Sequence, residues 1–159
     1  MNITIIAVGK IKEKYFTQAI DEYSKRLSRY CNLNIIEVSD EKAPENLSQA
    51  DLLSLLEKEG DKIISKIPNG SIVITMEIEG KQLTSEELSQ QMQNYATHGQ
   101  SSLCYIIGGS LGLSDSVKHL SQLKLSFSKL TFPHQMFRVM LLEQVYRGFR
   151  IMKGEPYHK

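Results

Sequence analysis

The fold class is decided by residues 3–38, ITIIAVGKIKEKYFTQAIDEYSKRLSRYCNLNIIEV, because they contain a strand, a helix and a second strand in that order. Ile3 to Val8 is a compact apolar run closed by Gly9, which is typical of a buried strand. Leu33 to Val38 predicts the second strand. Between them, apolar side chains recur at helical spacing, at Phe16, Ile20, Tyr23, Leu27 and Tyr30. Two strands joined through a helix in this way favour parallel pairing.

The rest of the chain continues the alternation of strands and helices. Three more strands are predicted at Ser71–Met76, at Leu103–Ile107 and at the alternating residues Leu123, Leu125 and Phe127. Helices are predicted after the capping-box patterns Ser48–Asp51 and Thr84–Glu87, and from Pro133 to about Arg150. We therefore predict one α/β domain over residues 1–159, with a mostly parallel sheet covered by helices on both faces.

The bulk properties exclude several classes of protein. No apolar run reaches the roughly 20 residues that a membrane span needs. Cys31 and Cys104 form no CxxC pair, and we expect both to be reduced in a cytoplasmic protein. The four histidines show no metal-ligand spacing, so no metal site is expected.

Positive charge is concentrated at one end of the chain. Residues 124–159 carry seven Lys and Arg against two acids, whereas residues 1–123 carry twelve against sixteen. This asymmetry indicates an anionic partner. Because the basic segment also contains Tyr, Phe and His, RNA fits it better than a membrane surface does.

A ligand of such a sheet is expected beyond the carboxyl ends of the strands. The candidate strand exits are Met76–Glu77, Gly108–Gly109 and Phe127–Phe132. The glycines of residues 108–112, GGSLG, do not have the GxGxxG spacing of a dinucleotide site. Two interpretations of the glycine pair stay open: a simple turn after the strand, or a bare backbone that a flat ligand can approach closely.

The segment from Phe127 onward resembles the small bacterial SPOUT-class methyltransferases that modify N3 of pseudouridine in 23S ribosomal RNA. The similar residues are Ser128–Thr131, Pro133–Gln135, Arg138, Leu142–Gln144, Tyr146–Arg147, Phe149–Arg150 and Gly154–Lys159. A weaker resemblance extends over the whole chain, including Val8–Lys10 and Ile107–Gly109.

The resemblance implies a C-terminal trefoil knot, which nothing in composition or periodicity indicates. It also implies S-adenosylmethionine (SAM) as the cofactor, with the adenine held mainly by backbone groups and apolar side chains. The matching cofactor-binding residues are Met76, Gly108, Gly109, Phe127, Ser128, Lys129, Leu130, Thr131 and Phe132. SPOUT proteins are typically dimers with the active site at the interface, so a homodimer is expected.

Four residues are candidates for catalysis. His134 and Arg138 share one face at the start of the last helix, and the alternative for His134 is a capping or packing role. With the resemblance, both are assigned to the active site. Tyr157 and His158 are expected to reach the target nucleotide, in the neighbouring protomer's pocket or their own. The alternative for them is a frayed terminus.

The last helix is apolar around most of its circumference, so it is either a central core helix or a helix that also packs on a second protomer. Glu143 and Arg147 are spaced for an intrahelical ion pair. Phosphate contacts are expected from Arg147, Arg150, Lys153 and Lys159.

The predicted function is SAM-dependent methylation of N3 of a pseudouridine in 23S ribosomal RNA (rRNA), on assembled ribosomes, without a metal or a membrane. Two alternatives stay open: a SPOUT methyltransferase that acts on tRNA or on a ribose hydroxyl, and an RNA-binding ribosome assembly factor.

Overall fold

The computed structural model describes all residues, 1–159, as ten alternating elements. The strands are β1 (Asn2–Val8), β2 (Asn32–Val38), β3 (Ile72–Gln82), β4 (Ser102–Ile107) and β5 (Leu123–Ser126). The helices are α1 (Lys14–Leu27), α2 (Gln49–Ile64), α3 (Ser85–Thr97), α4 (Asp115–His119) and α5 (His134–Met152). None of the helices combines the length and the apolar character needed to cross a bilayer.

The five strands form one sheet in the order β2-β1-β4-β3-β5, and every neighbouring pair is parallel. This confirms the predicted α/β class. The trefoil knot stays a prediction of the resemblance.

β3 is longer than the sequence predicts, since it continues past Met76 to Gln82. Its pairing with β5 shifts register between Met76 and Lys81, so residues 77–80 form an irregular segment. Gly80 lies directly against β5, where an added Cβ atom would be 2.8 Å from the Lys124 backbone. The extension therefore depends on backbone contact rather than on an apolar run.

The helices cover both faces of the sheet, as predicted. Alternate strand residues point to opposite faces, so Ile5 and Tyr105 belong to the larger core and Ile6 and Ile106 to the smaller one. The larger core is closed by α1, α3 and α5, and the smaller one by α2 and α4. The short helix α4 was not predicted, because five residues are too few to show a helical period.

The two predicted capping boxes differ in outcome. Thr84 and Glu87 form the complete reciprocal box at the start of α3. At α2 the Ser48 hydroxyl accepts from the Asp51 amide, but the Asp51 carboxylate binds the Ser48 hydroxyl at 2.6 Å instead of its amide. An aspartate side chain is one methylene shorter than the glutamate of the full motif, so that prediction was only half right.

α5 is a central core helix. It packs against both α1 and α3, and the residues along its buried side include Leu141, Leu142, Val145, Tyr146 and Phe149. The Ser89 hydroxyl of α3 donates to the Gly148 carbonyl at 2.8 Å, and a Cβ atom on Gly148 would be 3.1 Å from the Met92 sulfur. The glycine thus lets the two helix backbones approach closely.

Replacing Leu142 with alanine should lower the free energy of unfolding by about 3 kcal/mol, because the side chain is fully buried and leaves a cavity. Met136→Ala is the matched control on the same helix. Since Met136 is 42% exposed, its substitution should change stability by less than about 1 kcal/mol. Urea denaturation of both variants measures the difference, and equal effects would contradict the assignment of α5 to the core.

Candidate functional site

The residues predicted for cofactor binding leave the sheet at one edge. In the ladder, Thr75 pairs with Ile106 and Met76 pairs with Leu125, so the ends of β4 and β5 lie on either side of the middle of β3. Met76 belongs to the second of these pairs, Gly108 follows the last residue of β4, and the segment 127–132 follows the last residue of β5. The structure therefore brings the three predicted strand exits together.

The glycine pair after β4 is required by the loop itself. An added Cβ atom on Gly108 would be 2.8 Å from the Gly112 carbonyl oxygen, and Gly109 forms an isolated antiparallel bridge with Gly112. A side chain at position 108 would push the loop open. The turn interpretation is correct for these residues, and it leaves a bare backbone at the same edge as Met76.

The segment 127–132 has backbone groups available for a ligand. No backbone–backbone hydrogen bond involves these six residues. Two side-chain contacts hold the loop internally: the Leu130 amide donates to the Ser128 hydroxyl, and the Ser126 hydroxyl donates to the Ser128 carbonyl. The remaining amides and carbonyls fit a cofactor gripped by main chain, as the resemblance implies for SAM.

A cavity of about 470 Å³ lies next to this edge. It is within the usual size range for sites of small molecules. It is lined by Phe127 of the segment 127–132, by the start of α3, by Tyr23 of α1 and by Val139, Met140, Glu143 and Gln144 of α5. Ring packing of Phe127 on Phe137, with centroids 5.0 Å apart, attaches the segment 127–132, the predicted cofactor loop, to α5.

Arg138 does not face this cavity. Its side chain is 2% exposed, and its guanidinium donates to the carbonyl oxygens of Val8 and Gly9 at the end of β1. Glu37 lies 3.5 Å away on β2. Burial lowers the pKa of Arg138, and the Glu37 carboxylate opposes that effect. A guanidinium held in this way joins α5 to the sheet, and its role in the active site stays a prediction.

His134 packs on the turn after β1. An added Cβ atom on Gly9, whose φ is +89°, would be 3.1 Å from the His134 ring. Burial, and next the charge of Arg138, lower the pKa of His134, so the ring is mainly neutral near pH 7. Its buried Nδ1 atom has no hydrogen-bond partner.

The C-terminal tail is folded onto α5 rather than frayed. The Tyr157 hydroxyl donates to Glu143 at 3.1 Å, and its ring packs edge-on against Tyr146 with centroids 5.0 Å apart. Burial, followed by the Glu143 carboxylate, raises the pKa of Tyr157 to about 12, which keeps the hydroxyl protonated. His158 lies between Arg147 at 3.2 Å and Glu86 at 2.8 Å.

The four predicted catalytic residues therefore form two groups. His134 and Arg138 are at the N-terminal end of α5, whereas Tyr157 and His158 lie beside Arg147. Thirteen residues of helix correspond to roughly 20 Å, so one chain does not bring His134 and His158 together.

The four cations predicted to contact phosphates also differ among themselves. Arg147 forms the predicted ion pair with Glu143 at 2.6 Å, and Arg150 pairs with Glu155 at 3.1 Å. Lys153 and Lys159 are exposed and make no ion pair. Two of the four positive charges are thus already neutralised within the chain.

Two acids of the site were missed by sequence reasoning. Glu86 lies in the first turn of α3, two residues after the N-cap Thr84. In the sequence it therefore resembles an ordinary acid at a helix N-terminus, and nothing marks it as the partner of His158. Glu37 stands on an edge strand, far from Arg138 in the chain. Neither pairing has a spacing signal, since both are tertiary contacts. No group of three or more His, Cys, Asp or Glu is placed to hold a metal ion.

Comparisons with known proteins add to this geometry. The family model described as "Predicted SPOUT methyltransferase" matches residues 1–158. The chain is 61% identical to the "Ribosomal RNA large subunit methyltransferase H" of Clostridium botulinum (strain Alaska E43 / Type E3), over 100% of both chains. It is 60% identical to the protein of that name from Clostridioides difficile (strain 630), also over 100% of both.

One solved structure shows the likeness of fold alone. A probable methylase family protein from Haemophilus influenzae Rd KW20 superposes with a TM-score of 0.58 at 11% identity. The match covers 99% of this chain and 70% of that one.

Replacing Arg138 with methionine should lower the free energy of unfolding by about 2–3 kcal/mol, because two buried carbonyl groups lose a charged donor. Glu37→Gln is the matched control. The Glu37 side chain is 42% exposed, so that substitution should change stability by less than about 1 kcal/mol. Chemical denaturation of both variants checks this, and a methionine variant as stable as the wild type would show that Arg138 does not hold α5 in place.

Proposed function

The chain belongs to the SPOUT methyltransferase family, and we propose that it transfers a methyl group from SAM to N3 of a pseudouridine in 23S rRNA. The observation that carries the proposal is the identity of about 60%, over the full length of both chains, to proteins named ribosomal RNA large subunit methyltransferase H. The names of those relatives specify ribosomal RNA of the large subunit as what they methylate. The pseudouridine and its N3 atom come from the resemblance of the C-terminal segment.

SAM would be held where β4 and β5 end on either side of Met76 of β3. Met76, Gly108, Gly109 and residues 127–132 line that edge, and the free backbone groups of the 127–132 loop supply donors and acceptors for a purine and a ribose. The tight turn at Gly108 supports a flat ligand lying against main chain. When bound, SAM supplies a methyl group on a positively charged sulfur.

The reaction needs alignment and the removal of one proton. The new bond forms between N3 and the methyl carbon, the bond between that carbon and sulfur breaks, and the N3 proton leaves to a base. His134 and His158 are the two candidates for the base. His134, with its lowered pKa, is in the basic form at neutral pH and is close in sequence to the cofactor loop.

Tyr157 and His158 would act in the partner protomer of a homodimer. In one chain they lie roughly 20 Å along α5 from His134, and a second copy packed antiparallel would bring one tail to the other cofactor loop. The half-exposed residues of α5 that line the cavity, Val139 and Met140, support a contact there. Tyr157 would stack on the target base, as aromatic side chains do in RNA recognition.

The remaining parts of the proposal concern the substrate particle. Lys153 and Lys159, which make no ion pair, would contact phosphates, with Arg147 and Arg150 joining them if the tail rearranges on the RNA. A domain of 159 residues offers little surface for reading a long RNA, so we expect an assembled ribosome in the cytoplasm as the substrate.

Purified protein should transfer label from methyl-labelled SAM to 23S rRNA in ribosomes. Intact 70S particles, separate subunits and free rRNA are compared in the same assay. Deleting Tyr157 to Lys159 should lower kcat/KM by at least about 100-fold while SAM binding persists, because a base or a stacking group is lost. Label in tRNA alone would show that the substrate is tRNA and not 23S rRNA. Bound SAM without transfer to any RNA would contradict the proposed activity, and absence of both SAM binding and transfer would favour an assembly factor.

Mixing two inactive variants should restore activity if the tail acts in the partner. One variant lacks Tyr157 to Lys159. The other is Gly108→Ala, whose new Cβ atom would be 2.8 Å from the Gly112 carbonyl and should weaken SAM binding by displacing the loop. Each mixed dimer then contains one intact combination of cofactor loop and tail, so activity should recover to a substantial fraction of the wild-type value.

The control is the same assay with each variant alone at the total concentration of the mixture. Co-purification through a tag carried by only one of the two variants shows whether mixed dimers form. Mixed dimers without recovery would mean that tail and cofactor loop of the same protomer work together.

A further inference from the structure

Three exposed lysines follow the first strand. Residues 10–13 belong to no helix or strand, and Lys10 and Lys12 are exposed whereas the residues that follow each of them, Ile11 and Glu13, are half-buried. This alternation is expected for an extended chain, in which successive side chains point to opposite sides. Lys14 begins α1 and is also exposed. We call residues 10–15 the lysine segment.

None of these three lysines is neutralised by an acid. The ion pairs of the protein involve Arg26, Lys62, Arg138, Arg147, Arg150 and His158, and not the lysine segment. Glu13 lies within the segment, but its Oε2 atom is buried and has no hydrogen-bond partner. Asp40 approaches this end of the sheet as well, where its charge acts on His134.

The lysine segment is fixed beside the candidate active site. The Lys12 amide donates to the Gln135 side chain at 3.1 Å, which joins it to the first turn of α5. Gly9, just before the segment, is packed against the His134 ring. The cofactor loop 127–132 ends directly before Pro133, the N-cap of α5. One more exposed lysine, Lys129, lies in this loop.

An exposed aromatic ring accompanies the lysines. Tyr15 is 64% exposed, whereas the neighbouring Phe16 is half-buried. The centroids of the two rings are 4.5 Å apart, so the Tyr15 ring packs on the Phe16 ring. Proteins bind single-stranded RNA with cations that contact the phosphates and with aromatic rings that stack on unpaired bases. The three lysines and Tyr15 together offer both kinds of group.

The C-terminal tail alone offers few unpaired cations for phosphate contacts. Arg147 and Arg150 are each paired with a glutamate of their own chain, which leaves Lys153 and Lys159 as the unpaired cations of the tail. The lysine segment adds three unpaired cations at the N-terminal end of α5, the end at which the loop 127–132 also lies.

We propose that the lysine segment is a second RNA-binding surface of the protein, in which Lys10, Lys12 and Lys14 contact phosphates and Tyr15 stacks on an unpaired base next to the target. This inference rests on the proposed function, since it takes an RNA substrate as given. It adds a surface on the first loop of the chain to the cations of the tail.

The test combines methyl transfer to 70S ribosomes with co-sedimentation of protein and ribosomes at several salt concentrations. The triple variant Lys10→Ala, Lys12→Ala, Lys14→Ala should raise KM for ribosomes by roughly ten-fold or more and leave KM for SAM unchanged. The slope of log affinity against log salt should become shallower by about 2, since each lost phosphate contact removes about 0.7–0.9. The matched control is Lys42→Ala, Lys58→Ala, Lys66→Ala, which removes three exposed lysines elsewhere and should change neither quantity.

Tyr15 is tested separately. Tyr15→Ala should weaken ribosome binding on the order of ten-fold, and Tyr15→Phe should retain wild-type binding, because stacking needs the ring and not the hydroxyl. A triple lysine variant with unchanged KM and unchanged salt slope would overturn the inference. A changed sedimentation mass of the free variant would also overturn it, because the segment would then belong to an interface between two copies.

Failure of the proposed function gives a different result. If the wild type binds ribosomes in a salt-dependent way but transfers no methyl group, the activity is wrong, and the lysine variants still decide the binding surface by co-sedimentation. If the wild type methylates and the lysine variants behave like their control, the activity stands and the surface is wrong.

Discussion

The contact on which the structure most depends is made by one buried guanidinium. Arg138 of α5 donates to carbonyl oxygens at the end of β1, about 130 positions earlier in the chain. Those carbonyls can face α5 because Gly9 turns the chain with a positive φ and leaves room for the His134 ring. This contact fixes the first turn of α5 over the sheet together with the hydrogen bond from the Lys12 amide to Gln135. The loop 127–132 leads into that turn, and Phe127 packs on Phe137 of α5.

The length of α5 then separates the functional groups. Its N-terminal end adjoins the cofactor loop, and its C-terminal half holds the tail through Glu143 and Arg147. The helix packs between α1 and α3, so bending it to join the two ends would disrupt that packing. A second copy of the chain is the simplest way to join them, which is why the proposed mechanism uses a dimer. The tail contacts with Glu143 and Glu86 are partly exposed, so they can be exchanged for contacts with RNA or with the partner.

Much of the fold follows from sequence patterns, and the departures have physical causes. The five strands, the two-sided helix cover and α5 were predicted because apolar runs and helical spacing record burial directly. The end of β3 was missed because residues 77–82 are mostly polar and are held by the close approach of Gly80 to β5. The contacts of Arg138 were not predicted, for a related reason. An arginine near a helix start indicates an anion site, and nothing in the sequence marks backbone carbonyls of another strand as its acceptors.

The charge asymmetry of the sequence illustrates a more general limit. Counting charges correctly indicated an anionic partner, but it assigned the contacts to the basic C-terminal segment. In the structure Arg147 and Arg150 are paired with Glu143 and Glu155, and only the first of these pairs is visible as helical spacing. The N-terminal part, acidic as a whole, contains the lysine segment, and none of its acids forms an ion pair with Lys10, Lys12 or Lys14. An anionic ligand responds to charge that is exposed and unpaired. The proposed RNA contacts therefore lie on cations that the fold leaves without an ion pair.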